Sequence, residues 1–497
     1  MRLPELLDWL KIALPPTTIS GIKLDSRQVA NGDLFVAVSG YVTDGRDYID
    51  AAIKAGAAAV LAEDTKLWVE QQQAVPIVHI PDLKAQLSRI AGNFFAHPSA
   101  QTRLLGITGT NGKTSVTHLI AQLVQAMGEP AGLIGTTGSG LVGALLPEKH
   151  TTPDAVTVQQ RIATLVAEGA KVIAMEVSSH ALVQGRVEAL QFSSVAATNI
   201  SRDHLDYHGS MTEYVKAKQR LFTDFKAPHQ LINADDKALR HWLTGQPGTM
   251  ITGLAAVQKD AKPVDAAASL LADNIQYRPD GTRFDVDYQS IAQSSQAETI
   301  QSPLLGQFNV YNLLTALGVL LAEGYPLQQL AHACHQLQPV PGRMEAFQNA
   351  DSALIVVDYA HTPDALQQVL SALRKHCRGQ LWCVFGCGGD RDRGKRPQMG
   401  KVAIEYADQV VVTDDNPRTE PAEQIIADIL TGTLNNTKTR VIQGRYQAVV
   451  DTMARAGRND VVLLAGKGHE DYQVIGTQRF DYDERATVAA WLQGDRA

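Results

Sequence analysis

Apolar positions along this chain fall into short continuous runs that alternate with helical stripes. Leu104 to Thr110 is an apolar run entering a glycine-rich turn, and behind it Ser115–Met127 carries Val116, Leu119, Ile120, Leu123 and Val124 on one helical face. Further runs at Val172–Val177, Ser194–Ile200 and Gln230–Asn233 predict buried strands. Upstream, Asp33–Val38 and Val75–Ile80 read as strands and the Ala-rich stretch Ala51–Ala59 as a helix. From about residue 255 to 300 the chain is rich in Ala, Asp, Ser and Gln, which predicts short antiparallel strands or loops. A strong helix over Val310–Glu323 precedes Pro-Val-Pro-Gly at 339–342, a domain boundary. Beyond it, strands at Leu354–Val357, Leu381–Phe385, Gln409–Thr413, Arg440–Ile442 and Val461–Leu464 alternate with helices such as Asp364–Lys375 and Ala422–Leu430. Continuous apolar strands separated by amphipathic helices indicate a parallel sheet covered on both faces. The expected class is α/β in three domains, 1–98, 99–338 and 339–497. The central one is of the P-loop mononucleotide-binding type and the last is a Rossmann-like parallel sheet.

Composition narrows the function. At 497 residues the chain exceeds what one hydrophobic core supports. Lys plus Arg number 45 against 52 Asp plus Glu, a net charge of −7 that gives no electrostatic case for nucleic acid or an anionic membrane. An anionic ligand must be held by local features. Cys383 and Cys387 have a spacing that suggests a metal, but Gln380–Gly386 reads as a buried strand, so these and Cys334 and Cys377 are expected as core thiols in a reducing compartment. Glu5 and Asp8 among the first apolar residues argue against a signal peptide, and no apolar run reaches the ~20 residues of a spanning helix. A soluble, cytoplasmic protein is expected.

The sharpest chemical signal is Gly106-Ile-Thr-Gly-Thr-Asn-Gly-Lys113-Thr114. Strand, glycine loop and helix in that order point backbone N–H groups at a phosphate. Lys113 is expected on the β/γ-phosphates and the Thr114 hydroxyl on Mg²⁺. The loop is a variant, since Ile107 stands where the strict pattern has Gly. Ala174-Met-Glu-Val-Ser-Ser-His180 ends a buried strand, so Glu176 is a candidate Mg²⁺ ligand, an ion pair with a surface Lys being the alternative. In Asn199-Ile-Ser-Arg-Asp-His204-Leu-Asp-Tyr-His208 the two histidines lack a third soft ligand nearby, which speaks against zinc. Lys216, Lys218 and Arg220 follow on the next helix, where lysines are ordinarily solvated, so Lys218 has no role on local physics alone.

Polar clusters recur in the last third. Gly306-Gln-Phe-Asn309-Val-Tyr-Asn312 opens a helix, Pro341-Gly-Arg343-Met-Glu345 starts the last domain, and Asp358 ends a strand. Such side chains suit a nucleotide or a helix cap equally. The loop Gly386-Cys-Gly-Gly-Asp-Arg391-Asp-Arg393-Gly-Lys395-Arg396 offers four cations, suited to carboxylate or phosphate unless it is simply solvated. Asp414-Asp-Asn416-Pro-Arg418 and Gly466-Lys-Gly-His469-Glu470 sit at further strand ends.

Together these stretches resemble the Mur ligase family, ATP-dependent amide-forming enzymes of peptidoglycan synthesis, over essentially the whole chain. Leu24-Asp-Ser-Arg27, Glu-Val-Ser-Ser-His at 176–180 and Asp-Asn-Pro-Arg at 415–418 are similar to the members that add 2,6-diaminopimelate to a UDP-N-acetylmuramoyl-dipeptide. The resemblance implies an N-terminal UDP-binding domain, a central ATPase domain and a C-terminal domain that accepts the incoming amino acid. It implies work in cell-wall biogenesis, and so in cell shape and division. A monomer with no nucleic-acid or membrane partner is expected.

By the same resemblance, Gly109, Thr110, Asn111, Gly112, Lys113, Thr114 and Ser115 would cradle ATP phosphates, and Glu176 would hold Mg²⁺ with support from His204. Asn309, Asn312, Arg343 and Asp358 would contact the nucleotide, the last two closing over it. Lys218 matches a lysine the family carbamylates, whose added carboxylate would bind a second Mg²⁺. UDP-sugar contacts would fall on Leu24, Ser26, Tyr41, Val42 and Thr43, and the muramoyl-peptide on Thr151, Thr152, Ser178, Gln184 and Arg186. His150 stands where the family pattern has Asn. Arg418, Arg391, Asp415, Asn416, Pro417, Gly466 and Glu470 would hold diaminopimelate, leaving Arg418 buried and unpaired when lysine binds instead. Two rivals are a folylpolyglutamate synthase, which shares the nucleotide loop, and a nucleotide-switched binding protein. The diaminopimelate-type motif at 415–418 and the Leu-Asp-Ser-Arg stretch argue against the first, and the second needs an Asn-Lys-x-Asp stretch that is absent.

Overall fold

The computed structural model of the protein describes residues 1–40, 43–243, 247–291, 294–433 and 436–494. The chain clusters into two units. The first comprises Met1–Leu270, Tyr288–Ser295 and Leu314–Leu327; the second comprises Leu271–Asp287, Gln296–Leu313 and Gln328–Ala497.

The first unit holds two sheets. One runs in the order Gly21–Lys23, Asp33–Ala37, Ala59–Asp64, Val75–Pro81, Trp68–Gln72, all parallel except the last pair. Leu34, Val36, Leu61 and Val78 pack against Leu83, Leu87 and Ile90 of the Leu83–Phe94 helix, while Phe35, Val60 and Ile77 pack against Ala52 and Ile53. The Ala-rich stretch departs from expectation. Its helix is only Ile49–Lys54, because Gly56 turns the chain at φ 102° and Ala59 already opens a strand.

The other sheet sets the chemistry. Its seven strands that lie wholly in this unit run in the order Thr249–Leu254, His229–Asn233, Ser194–Ala197, Arg103–Thr108, Val172–Glu176, Ala131–Gly135, Gly138–Leu141, parallel up to the last pair. Arg103–Thr108 is first in sequence yet lies between two later strands. The strand order therefore reverses beside it, and the crevice beyond its carboxyl end is where open α/β sheets bind ligands.

In the second unit, Ala268–Arg278, Gly281–Ser290 and Gln296–Ser302 are neighbouring strands, the first two with a few residues counted in the other unit. They are longer than the short strands or loops expected. Thr282, Phe284, Val286 and Tyr288 are buried while Arg283 and Asp287 face solvent, so the wet face supplies the polar residues that mimic a loop. The six-stranded sheet runs Glu345–Phe347, Leu354–Asp358, Val461–Ala465, Leu381–Phe385, Gln409–Val412, Thr439–Val441, parallel after its first, antiparallel pair. Leu354, Leu381, Cys383 and Val410 face the Pro363–Arg374, Lys395–Tyr406 and Ala422–Leu430 helices, and Trp382, Val384 and Val411 face Arg445–Arg455 and Glu484–Gln493. Cys383 and Cys387 are buried and free, and Cys387 Sγ lies 3.6 Å from Met399 Sδ. Among the described residues no helix is long and apolar enough to cross a membrane.

Candidate active site

The glycine loop follows the Arg103–Thr108 strand and ends in the Lys113–Ala126 helix, with Gly109 at φ 139° and Gly112 at φ 88°. No side chain caps that helix, so its first amides point out for an anion. The loop is held from the next strand end. Thr110 N–H donates to Asn199 O at 2.8 Å, Asn111 N–H to Asn199 Oδ1 at 3.0 Å, and Thr198 Oγ1 to Asn111 O at 2.6 Å. A Cβ on Gly109 would overlap Thr198 Oγ1. Lys113 Nζ lies back over the loop, donating to Gly109 O and Thr110 O at 2.9 Å each.

Glu176 is no surface ion-pair partner. It is buried, takes Thr136 N–H on Oε1 at 2.8 Å and the Thr114 hydroxyl on Oε2 at 3.0 Å, and sits against Gly135, where a Cβ would overlap it. Burial raises its carboxyl pKa, against the opposing pull of Lys113. Hard oxygens from Thr114 and Glu176 thus meet beside the loop, a donor set that suits Mg²⁺.

Lys218 corrects the expectation of a solvated helix lysine. It is 2% exposed on the Met211–Thr223 helix, and its Nζ donates to Gly109 O at 2.8 Å, the same carbonyl Lys113 uses. Tyr214, Ala217, Lys218, Leu221 and Phe222 form one buried stripe at helical spacing, so the signal was present in the sequence. Burial lowers the Lys218 pKa well below the usual lysine range, and the Lys113 charge lowers it further. His204, at φ 51°, opens the short Leu205–His208 helix and stacks edge-on with His180, ring centroids 5.0 Å apart. His208 Nε2 lies 2.9 Å from Ser179 Oγ.

The residues expected on the muramoyl-peptide form a strip continuous with Glu176. The Thr152 hydroxyl donates to Glu176 O at 2.8 Å and accepts Ser178 N–H at 3.0 Å. Arg186 donates to Thr152 O at 2.6 Å and to Gln184 Oε1 at 2.9 Å, and Thr151 Oγ1 accepts from Thr136 Oγ1 at 3.0 Å. Thr152 therefore holds backbone and offers a ligand little, whereas Ser178 caps the Ser179–Val183 helix. Leu24 and Ser26 lie partly exposed on the turn after Gly21–Lys23. There the Arg27 guanidinium beside Asp25 holds its carboxyl down at about 2, and Lys149, next to the exposed His150, adds to this. Thr43 is exposed; Tyr41 and Val42 lie outside the described residues.

In the second unit, Asn309 and Asn312 are buried in their helix, Asn312 Nδ2 donating to Asn309 Oδ1 at 3.0 Å. Arg343 is exposed over the Tyr359 ring, and the buried Asp358 takes Met344 and Ala360 N–H groups at 2.8 and 2.7 Å. The four loop cations divide. Arg391 and Arg393 are exposed and Lys395 is partly exposed with Nζ donating to His361 O at 2.9 Å, but Arg396 is wholly buried on Glu420 and Asp428 and is a strut, not a ligand. Arg418, at φ 52°, is half-buried, with Nη1 donating to Gly389 O at 2.9 Å. Asn416 Nδ2 donates to Glu470 Oε2 at 3.0 Å, and the wholly buried Lys467 ties both together. Sequence reasoning missed Asn199, Thr136 and Lys467, whose partners are distant along the chain.

A phosphate loop at a strand-order reversal, an acidic residue bonded to the loop's threonine, and a second α/β unit with polar strand ends define a nucleotide-using enzyme of the α/β class. The particular family is shown by comparison: this chain belongs to the Mur ligases, which are ATP-dependent, ADP-forming ligases. The descriptions "Mur ligase family, catalytic domain", "Mur ligase middle domain" and "Mur ligase, glutamate ligase domain" match residues 18–95, 107–320 and 342–468. The chain is similar to a solved UDP-N-acetylmuramoyl-L-alanyl-D-glutamate–2,6-diaminopimelate ligase at 34% identity and TM-score 0.74, covering 100% of this chain and 99% of that one. It shares its fold with MurF ligase from Thermotoga maritima in complex with ADP, at 17% identity and TM-score 0.61 over 97% and 98% of the two chains. It also shares its fold with Mycobacterium tuberculosis folylpolyglutamate synthase, at 17% and 0.58 over 83% and 95%.

Proposed function

We propose that this ligase adds meso-2,6-diaminopimelate to the D-glutamate γ-carboxylate of UDP-N-acetylmuramoyl-L-alanyl-D-glutamate, a step of peptidoglycan precursor synthesis in the cytoplasm, as a monomer. The observation that carries the reading is the 34% identity over the whole chain to a ligase of that name. The division into 1–98, 99–338 and 339–497 corresponds in this reading to a UDP-binding, an ATP-binding and an amino-acid-accepting domain.

In this reading ATP lies on the 109–115 loop, with Asn309, Asn312, Arg343 and Asp358 also assigned to it. The γ-phosphoryl passes to the substrate carboxylate, the diaminopimelate amine attacks the acyl phosphate, and phosphate leaves as the amide forms. Catalysis is then mainly positioning and charge neutralisation. Lys113 swings from the loop carbonyls to the phosphates. Thr114 and Glu176 would hold Mg²⁺, which supplies charge neutralisation when bound. Lys218, whose pKa burial lowers well below the usual lysine range, is suited to carbamylation, in which the neutral amine adds to CO₂ with loss of one proton. Leu24, Ser26, Thr43, Thr151, Ser178, Gln184 and Arg186 are assigned to the UDP-muramoyl-dipeptide.

Diaminopimelate differs from lysine by a second carboxylate. Arg418 keeps N–H groups beyond the one on Gly389 O for that carboxylate, with Arg391 beside the loop for the other. Sites that hydrogen-bond a substrate group reject analogues lacking it by about 10⁴-fold. The test is phosphate release with UDP-muramoyl-dipeptide, ATP and each amino acid in turn. Strong preference for meso-diaminopimelate over L-lysine is expected, falling in Arg418→Ala; comparable kcat/KM values in the wild type would overturn the reading.

A further inference from the structure

We infer that Lys467 is a positioning residue that sets the charge of the amino-acid site and thereby its choice between a zwitterionic and a purely cationic side-chain end. This rests on the assignment of Asp415–Arg418 and Glu470 to diaminopimelate made above. Lys467 follows the Val461–Ala465 strand and is wholly buried. Its Nζ donates to Tyr472 O at 2.7 Å, Asn416 Oδ1 at 2.8 Å and Glu470 Oε2 at 3.3 Å. An ammonium has three protons, so these partners use it up. Asp415 Oδ1 is a further 3.3 Å neighbour, is itself buried, and receives no hydrogen bond. A buried carboxylate oxygen without a donor is an open acceptor for a ligand ammonium.

Lys467 pairs with both Asp415 and Glu470. At the assigned side-chain end of the ligand, with Arg391 left to the other carboxylate, Asp415 and Glu470 bring two negatives and Lys467 and Arg418 two positives. The neighbouring Arg445 is matched by Glu484 in a wholly buried pair. With Lys467 cancelling one carboxylate, one negative and Arg418 remain, which matches one ammonium and one carboxylate on the ligand. Without that charge, two carboxylates face a single Arg418, so a ligand carboxylate is repelled and a bare ammonium is favoured. Poor screening at buried sites makes the effect large.

The experiment compares kcat/KM for meso-diaminopimelate and L-lysine in the full-length wild type, Lys467→Met and Lys467→Met/Asp415→Asn. Lys467→Met is expected to lose about 100-fold for diaminopimelate and under about 10-fold for lysine, with KM for ATP unchanged within about 3-fold. The double variant removes one charge of each sign, so its selectivity is expected to lie within about 3-fold of wild type. Equal losses for both amino acids in Lys467→Met, or a double variant no more selective than the single one, would overturn the inference. If Lys467→Met does not fold, the double variant decides alone: retained selectivity supports the inference and lost selectivity overturns it. A wild type that does not prefer diaminopimelate condemns the parent assignment instead, whatever the variants do.

Discussion

Lys218 shows what burial does to a single residue. In water its amine would be protonated; enclosed beside Lys113, with Gly109 O as acceptor, it is held well below the usual lysine range. Only the neutral amine reacts with CO₂, so the environment that disfavours the ammonium is the one carbamylation needs. Lys218→Ala is expected to lose at least about 100-fold in turnover, consistent with the size of effects at charge-stabilising positions. Formate or acetate should restore part of it by standing in for the carbamate oxygens. Steady-state phosphate release with and without added formate checks this, and a fully active Lys218→Ala would remove the residue from the mechanism.

Elements, not single side chains, shape the phosphate loop. The Arg103–Thr108 strand delivers Gly109 at φ 139°, a region that costs a side-chain-bearing residue about 1–3 kcal/mol, and Thr198 leaves no room for a Cβ. Thr198 in turn anchors Asn111 O, so displacing it shifts the loop that the helix N-terminus completes. Gly109→Ala should therefore raise KM for ATP by tenfold or more and lower stability by about 1–3 kcal/mol. ATP titration of turnover and a urea melt measure both. An unaltered KM for ATP would mean the loop's shape is not what holds the phosphates.

Across the whole molecule, buried titratable groups set the response to acid. His118, on the Lys113–Ala126 helix with its ring nitrogen 2.7 Å from Thr137 Oγ1, has its pKa pushed down to about 4 by burial. Unfolded, it titrates near 6.5, so between these values the unfolded chain binds more protons than the folded one. Its contribution is full above pH 6.5 and is lost as pH falls towards 4. Glu176, raised by burial, runs the other way, its contribution present at low pH and lost as pH rises through the folded value. Urea midpoints at pH 7.5 and 4.5 should differ less in His118→Gln than in the wild type. An identical pH slope in the two would show that His118 is not the acid-sensitive group.

The sequence by itself determined the class, the parallel sheets and the phosphate loop. Strands buried on both faces must be continuously apolar, and helices on those faces must be amphipathic; the Ala422–Leu430 helix and the Leu381–Phe385 strand fall on the very residues their pattern predicts. The Gly-Lys-Thr loop was legible because its chemistry is contiguous. The 268–302 strands were not, because a sheet with one wet face dilutes its apolar positions until it looks like a loop. Only the tertiary structure decided which cations are buried in internal contacts and which stay exposed. Lys218, Arg396 and Lys467 look alike in a linear sequence, yet their partners Gly109, Glu420 and Asn416 lie 109, 24 and 51 residues away. Whether a charge is solvated, cancelled or left to act depends on what packs against it, and packing is a property of the folded chain.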